Sequence, residues 1–324
     1  MTISAEEAAT FKATFDRMVA SVSQAILGKD EAVRLALTCL LSGGHLLLED
    51  YPGTGKTSLA KAIAQTIHGT NARIQFTPDS LPSDLTGVQL YNQETRRFEF
   101  HRGPVFHSIV LADEINRASP KTQSALLEVM EEGQVTVDGV AQEVERPFMV
   151  IATQNPIEHA GTYPLPEAQL DRFLMRIGLG YPDRESLIAL LDAAAVRDRT
   201  ASVKPVIATY AVGQLTEIAD RVTVRWETLD YVGRLAEASR DDESVLLGVS
   251  PRGCLALVRC AKTWAVAQGR EYVTPSDIQF LAKPVLIHRI LLRPEAQYDR
   301  AAVSVADVID RVVRGVQAPT ERAF

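Results

Sequence analysis

HLLLEDYPGTGKTSLAKAIA, residues 45–64, passes from an apolar run (His45-Leu46-Leu47-Leu48) through a glycine-rich turn (Pro52-Gly53-Thr54-Gly55-Lys56-Thr57) into a helix-forming run that opens at Ser58. Strand, glycine loop and helix in that order make a phosphate-binding P-loop. Gly53 and Gly55 let the backbone turn tightly, so that loop amides face one centre. The start of the following helix adds its own attraction for a polyanion. Lys56 is placed to reach the β and γ phosphates, and the Thr57 hydroxyl to coordinate Mg2+. The ligand class is a nucleoside triphosphate with Mg2+, and Pro52, Gly53, Thr54, Gly55, Lys56, Thr57 and Ser58 are its loop. A chance Gly-Lys-Thr in a turn is the competing reading. One position departs from the pattern: a glycine is expected five residues before Gly55, and this chain has Asp50 there, next to Glu49. Either the carboxylates turn away from the phosphates or they weaken nucleotide affinity.

A second motif bears on that choice. Ser108-Ile109-Val110-Leu111-Ala112 is an apolar run suited to a strand buried on both faces, and it ends in Asp113-Glu114. An acid at the end of a central strand can hold the water shell of Mg2+, and the next acid can polarise the attacking water as general base. Beside a P-loop this reading outweighs that of a pair of surface acids. A third run, Phe148-Met149-Val150-Ile151-Ala152-Thr153, ends in Gln154-Asn155-Pro156. Asn155 is placed to hydrogen-bond the γ-phosphate or the attacking water, or else simply to form an Asn-Pro turn.

With these motifs in place the chain resembles an AAA+ ATPase, and more narrowly the MoxR family. The likeness is carried by ILGKDEAVRLAL (26–37), GGHLLLEDYPGTGKTSLAKAIA (43–64), VLADEINRASPKTQSALLEVMEEGQVTVDG (110–139), IATQNPIEHAGTYPLPEAQLDRFLMRI (151–177) and SPRG (250–253), which together span nearly the whole chain. The resemblance implies an α/β fold: a P-loop, three-layer α/β/α parallel sheet with a C-terminal helical lid domain. It implies that Asn155 is sensor 1, and that Arg172, in Leu170-Asp171-Arg172-Phe173, is an arginine finger inserted into a neighbouring subunit's site. An arginine suits that task because its charge is permanent and its fork matches phosphate oxygens. An intrachain salt bridge is the alternative for Arg172, and Arg117 is a second intersubunit candidate. Arg252, after the helix-start signal Ser250-Pro251, resembles sensor 2. Leu27 and Gly28, with Ile26, resemble the loop that packs against adenine, or form a plain helix lead-in.

Composition sets the outer bounds. The chain has 324 residues, 46% hydrophobic and 23% charged, enough for two domains with full cores and ordinary for a soluble globular protein. The formal charge of −7 argues against nonspecific nucleic-acid binding as the main role. Three cysteines, Cys39, Cys254 and Cys260, lie in helix-like apolar stretches without metal-ligand spacing and read as buried reduced thiols. Six histidines show no zinc-binding spacing, so no protein-held zinc is expected. The N-terminus lacks a basic and apolar leader, and no run approaches a membrane span, so a cytoplasmic protein is expected.

Along the chain, residues 5–25 read as an amphipathic helix with Phe11, Phe15, Met18, Val19 and Val22 on one stripe, and Asp30 to Leu41 as a second helix. Strands are expected near 45–49, 73–76, 108–112, 148–153 and 174–179, alternating with helices. Two β-hairpins interrupt them, near 87–100 and, around the Asp138-Gly139 turn, near 134–145. The expected domains are 1–190, which binds nucleotide, and 191–324, a helical lid broken by Ser250-Pro251, Thr274-Pro275 and Lys283-Pro284. A polar stretch from Arg197 to Ser202 reads as an exposed connection, and Asp183 as a cap for the helix after it.

The resulting expectation is an Mg-dependent ATPase that acts as a homo-oligomeric ring, six subunits being the expected number. It would remodel or activate a protein client, with a von Willebrand A-domain protein as the partner that the resemblance implies. Two alternatives stand beside it. One is a nucleic-acid-stimulated motor of the same superfamily. The other is a nucleotide-gated scaffold with little turnover, which Asp50 suggests.

Overall fold

The computed structural model describes residues 2–51, 53–137, 139–155, 162–192, 199–298 and 303–320. Pro52 of the P-loop, Asp138 of the second hairpin turn, Pro156, and Arg197 and Asp198 of the polar stretch lie outside the described residues. The chain divides into two compact units: Arg17–Leu165 with Ile177–Gly213, and Met1–Asp16 with Pro166–Arg176 and Gln214–Phe324.

In chain order the strands of the sheet region are β1 (Leu46–Glu49), β2 (Asn71–Gln75), β3 (Gly87–Asn92), β4 (Arg97–Arg102), β5 (Ile109–Asp113), β6 (Gln134–Val137), β7 (Val140–Glu143), β8 (Met149–Gln154) and β9 (Met175–Ile177). The main sheet has the order β2-β5-β8-β1-β9, and β2–β5, β5–β8 and β8–β1 pair in parallel. Ile109 to Asp113, Met149 to Thr153 and Leu46 to Leu48 are buried throughout. Runs of that kind need cover on both faces, which gives the helix–sheet–helix layering of a parallel α/β fold. β2 lies at an edge, and only Ile74 of its five residues is buried. The expected strand positions are thus met, with ends shifted by one to two residues.

Register brings the polar strand ends together. Gln75 pairs with Asp113, Ala112 with Ala152 and Leu48 with Thr153. The carboxyl ends of β2, β5, β8 and β1 therefore present Gln75, Asp113, Asn155 and the P-loop at one rim, where ligands of open α/β sheets bind. The helix Pro120–Glu132 follows the acid pair. It starts where Ser119 Oγ accepts the Thr122 amide and stops at Gly133, whose φ of 66° is left-handed.

Both expected hairpins are present, β3–β4 and β6–β7. On the first, Phe98 stays 69% exposed with Tyr91 beside it, their rings edge-on at 5.4 Å.

The second unit is mainly helical. Its long helices are Trp226–Asp241, Pro251–Ala267, Pro275–Leu286 and Val305–Gly315, and a small antiparallel pair, β10 (Val245–Leu247) and β11 (Leu291–Leu292), joins them. Two of the expected helix starts are built as the sequence indicates. Ser250 Oγ accepts the Gly253 amide at 3.1 Å, and Thr274 with Asp277 forms a capping box. The break expected at Lys283-Pro284 does not occur: the helix runs on to Leu286 with Pro284 inside it. Proline removes one ladder bond there, near the end of the helix, while Leu281, Val285 and Leu286 are buried and hold the last turn in the core. Among the cysteines, Cys39 and Cys260 are buried as expected, whereas Cys254 is only half-buried. Among the described residues no helix is long and apolar enough to cross a membrane.

Candidate nucleotide site

The cradle begins with torsion angles that only glycine adopts readily. Gly53 and Gly55 have φ of 84° and 100°, and a Cβ at Gly53 would meet nothing within 4 Å, so conformation rather than crowding demands glycine there. Gly55 precedes the helix Lys56–Thr66 and offers no side chain to cap it. The first amides of that helix are thereby left for an anion. Lys56 Nζ donates to the Asp50 and Tyr51 carbonyls at 2.9 and 3.2 Å, and Thr54 Oγ1 to the Tyr51 carbonyl at 3.2 Å.

Asp50, the departure from the P-loop pattern, resolves one way. Its side chain is committed to backbone: Oδ2 accepts the Leu179 and Gly180 amides at 2.8 and 2.7 Å, and Oδ1 accepts the Tyr51 amide at 2.8 Å. The residue is 5% exposed, and the residues that line the phosphate-side cavity do not include it. Its carboxylate ties the start of the loop to the segment after β9 within the same unit.

The acid pair is stitched to the neighbouring strands. Thr153 Oγ1 donates to Asp113 Oδ1 at 2.6 Å and accepts the Glu114 amide at 2.8 Å. The other oxygen of Asp113, Oδ2, accepts from Arg73 through Nε at 3.2 Å and a terminal nitrogen at 2.6 Å. Glu114 stands in the left-handed region with φ 58° and ψ 50°. That backbone is rare for a residue with a side chain and typical of positions fixed by function. Glu114 Oε2 accepts from Gln75 Nε2 at 3.2 Å and from Arg117 at 3.1 Å. Since Arg73 also donates to Gln75 Oε1 at 2.6 Å, Asp113, Arg73, Gln75, Glu114 and Arg117 form one hydrogen-bonded chain.

All of these but Arg117 line a cavity of about 380 Å³, together with Gly53, Gly55, Lys56, Thr57, Ser58 and Asn155. The structure therefore brings together most of the residues singled out in the sequence. Thr54 lies in the same loop without lining the cavity. Leu27 and Gly28 are not among its lining residues either. Gly28, at φ 70°, packs so close to the helix Arg184–Asp192 that a Cβ would lie 2.0 Å from Ser186 Oγ. Sequence reasoning missed Arg73, Gln75 and Thr153. The usable signal was the alternation Arg73-Ile74-Gln75, in which two polar side chains share a strand face just before the P-loop rim.

Arg172 and Arg252 belong to the other unit. There Arg252 Nε lies 3.5 Å from Asp171 Oδ2, next to Arg172 in sequence. Arg289 is almost fully buried and reaches the same turn: its Nε donates to Asp171 Oδ1 at 2.6 Å, and its terminal nitrogens donate to the carbonyls of Phe173 (2.7 Å), Leu174 (3.2 Å) and Val285. Burial pulls the Arg289 pKa below the usual arginine value, and the Asp171 carboxylate opposes that by favouring the charged form. His288 Nε2 donates to the Phe173 carbonyl at 2.9 Å, and burial, with Arg289 and Arg176 nearby, pushes the imidazole pKa down to about 3.

A P-loop, an acid pair at the end of the adjacent buried strand and a polar amide at the end of the next define a nucleotide-binding ATPase site of the P-loop class. Comparison with known proteins narrows the class. Residues 45–175 match the family model "ATPase family associated with various cellular activities (AAA)", and residues 237–312 match "AAA lid domain". The chain is similar to Chaperone MoxR1 of Mycobacterium tuberculosis, at 41% identity over 96% of this chain and 84% of that one. It is similar to Protein MoxR of Methylorubrum extorquens, at 33% identity over 95% of each chain. It is also similar to YeaC of Bacillus subtilis, which is uncharacterized, at 45% identity over 95% of each. A crystal structure from Cytophaga hutchinsonii, of a protein provisionally named an ATPase, superposes with a TM-score of 0.89 at 37% identity, covering 97% of this chain and 98% of that one. The chain belongs to the MoxR family of AAA+ ATPases.

Proposed function

We propose that this protein hydrolyses ATP with Mg2+ as a ring-shaped homo-oligomer, a hexamer, and uses the cycle to remodel or activate a protein client. The observation that carries the reading is the convergence of Lys56, Thr57, Asp113, Glu114 and Asn155 on one cavity. Its donors suit a triphosphate: P-loop amides and a lysine for the phosphates, a strand-end amide for the γ-phosphate. It also suits Mg2+, which is held by one or two protein oxygens plus phosphates and waters rather than by a protein cage. Among the described residues no cluster of three or more His, Cys, Asp or Glu offers such a cage.

Thr57 and Asp113 would hold the metal, which would neutralise phosphate charge. Lys56 leaves the loop carbonyls and binds the phosphates. Glu114 takes the proton of the attacking water, and Asn155 orients that water against the γ-phosphate. Arg172 of a neighbouring subunit stabilises charge on the transferred group, and Arg252 acts as sensor 2. The domains are the nucleotide-binding region 1–190 and the lid 191–324, with Leu27 and Gly28 toward adenine. The work is done in the cytoplasm, with a von Willebrand A-domain protein as the protein partner. The name Chaperone MoxR1 of the M. tuberculosis relative supports the client role. The commitment of Asp50 to backbone amides removes the reason to prefer a scaffold with little turnover.

Phosphate release at saturating Mg-ATP, measured together with mass by light scattering, tests this. Turnover that vanishes in Lys56→Ala and Glu114→Gln, with nucleotide-dependent growth to a ring, is expected. A fully active monomer, or no affinity for Mg-ATP, overturns it.

A further inference from the structure

Asp113, the acid read as a metal ligand, already has a cation on it. Its side chain is 12% exposed, and the oxygen not engaged by Thr153 receives a two-pronged guanidinium contact from Arg73 at 2.6 and 3.2 Å. Arg73 sits on the edge strand, its side chain is 50% exposed, and it lines the same cavity as Lys56 and Thr57. A largely buried carboxylate calls for a counter-ion, and Arg73 supplies it. A divalent ion bound at Asp113, directly or through one water, would need the carboxylate oxygen on which Arg73 now rests. Two cations within a few ångströms repel, and of the two only the guanidinium is tethered to a half-exposed arm that can swing aside.

We propose that Arg73 is the resident counter-ion of Asp113, exchanged for Mg2+ when Mg-nucleotide enters, so that it sets how strongly nucleotide binding depends on the metal. The inference rests on the nucleotide-site reading above and goes beyond it. With Arg73 in place Asp113 does not repel phosphates, and nucleotide binds without metal. With Arg73 gone, the bare carboxylate opposes the phosphates until Mg2+ arrives, and Mg2+ then meets no competitor. The two conditions therefore move in opposite directions, which a merely structural loss does not do.

The test is equilibrium binding of mant-ADP, in EDTA and across a Mg2+ titration, for the wild type, Arg73→Met, Arg73→Gln and Arg73→Lys, with thermal unfolding as a check on folding. In EDTA, Arg73→Met and Arg73→Gln should bind roughly tenfold more weakly than wild type. At saturating Mg2+ they should equal or exceed it, and their half-saturating Mg2+ should fall. Arg73→Lys, which keeps charge but not the fork, should lie between. An unchanged metal dependence in both neutral variants overturns the proposal. So does an equal loss with and without Mg2+, which would make Arg73 a direct phosphate ligand. If wild type binds no nucleotide even in Mg2+, the site reading itself fails and the proposal with it. If wild type binds and only the variants behave otherwise than expected, the site reading stands and the exchange alone is wrong.

Discussion

Arg289 Nε meets Asp171 Oδ1 at 2.6 Å, and the side chain of Arg289 is 3% exposed. The guanidinium also donates to the carbonyls of Phe173, Leu174 and Val285, so it fastens the turn that carries Arg172 to the helix ending at Leu286. Asp171 is shared, since Arg252 approaches its second oxygen at 3.5 Å. One carboxylate, next in sequence to the arginine-finger candidate Arg172, thus faces both the sensor 2 candidate Arg252 and Arg289. Removing Arg289 leaves Asp171 with only the longer Arg252 contact and takes the donor from the Phe173, Leu174 and Val285 carbonyls, at a cost on the order of 3 kcal/mol. Arg289→Met should lower stability by that order in urea titrations. Arg289→Lys should rescue it only partly, because an ammonium cannot reproduce the fork. In the fraction that stays folded, turnover should fall while the Kd for nucleotide holds. Equal turnover in a folded variant would show that the clamp does not position Arg172.

His288 makes the same turn sensitive to acid. Free in the unfolded chain the imidazole takes a proton near pH 6.5, and in the folded chain only near about 3. Between those values the unfolded state binds a proton that the native state does not. Stability is therefore full above pH 6.5 and falls as pH drops toward 3, by up to about 1.4 kcal/mol per pH unit. His288→Phe should be less stable than wild type at pH 7.5, having lost the bond to the Phe173 carbonyl, and should narrow the gap at pH 5.5. Parallel denaturation midpoints at the two pH values would rule this out.

Much of this was legible in the sequence because the residues concerned obey local rules. The apolar runs Ile109–Ala112 and Met149–Ala152 can only be buried strands, and the acids and the amide that end them must then lie at one rim. The Ser250-Pro251 and Thr274-Pro275 starts are local chemistry as well. What could not be read were pairings set by register and tertiary approach. Nothing near Arg73 in sequence indicates that Asp113, forty residues on, will take its guanidinium. Nothing near Asp50 reveals amides that arrive about 130 residues later. Pro284 escapes the rule for helix interiors because it stands in a last turn that its buried neighbours hold in place.

Asp50 yields a prediction of the opposite sign to the P-loop pattern. Replacing it with glycine restores the usual loop sequence but leaves the amides of Tyr51, Leu179 and Gly180 without their acceptor. An abandoned donor costs about 1–3 kcal/mol where it is buried. Asp50→Gly should therefore destabilise the protein by at least about 2 kcal/mol and should not raise turnover. Asp50→Asn, which keeps one acceptor oxygen, should lose less. A gain in phosphate release on Asp50→Gly would bring back the view that the aspartate weakens nucleotide affinity.

Glu114 separates function from stability. Its left-handed backbone, φ 58° and ψ 50°, costs a residue with a Cβ about 1–2 kcal/mol relative to glycine. Its carboxylate contacts with Gln75 and Arg117 lie on a half-exposed rim, where such bonds contribute little. Glu114→Gly should therefore unfold at the same denaturant concentration as wild type or a higher one, while losing turnover. Glu114→Gln should keep the backbone, keep nucleotide affinity, and drop phosphate release by roughly a hundredfold or more, the scale of a lost general base. Stopped turnover in both variants with stability raised only in the glycine one would show that the chain holds this residue in a strained pose for its chemistry. If Glu114→Gly is clearly destabilised, the left-handed turn is held by the side chain, and the strain argument is wrong.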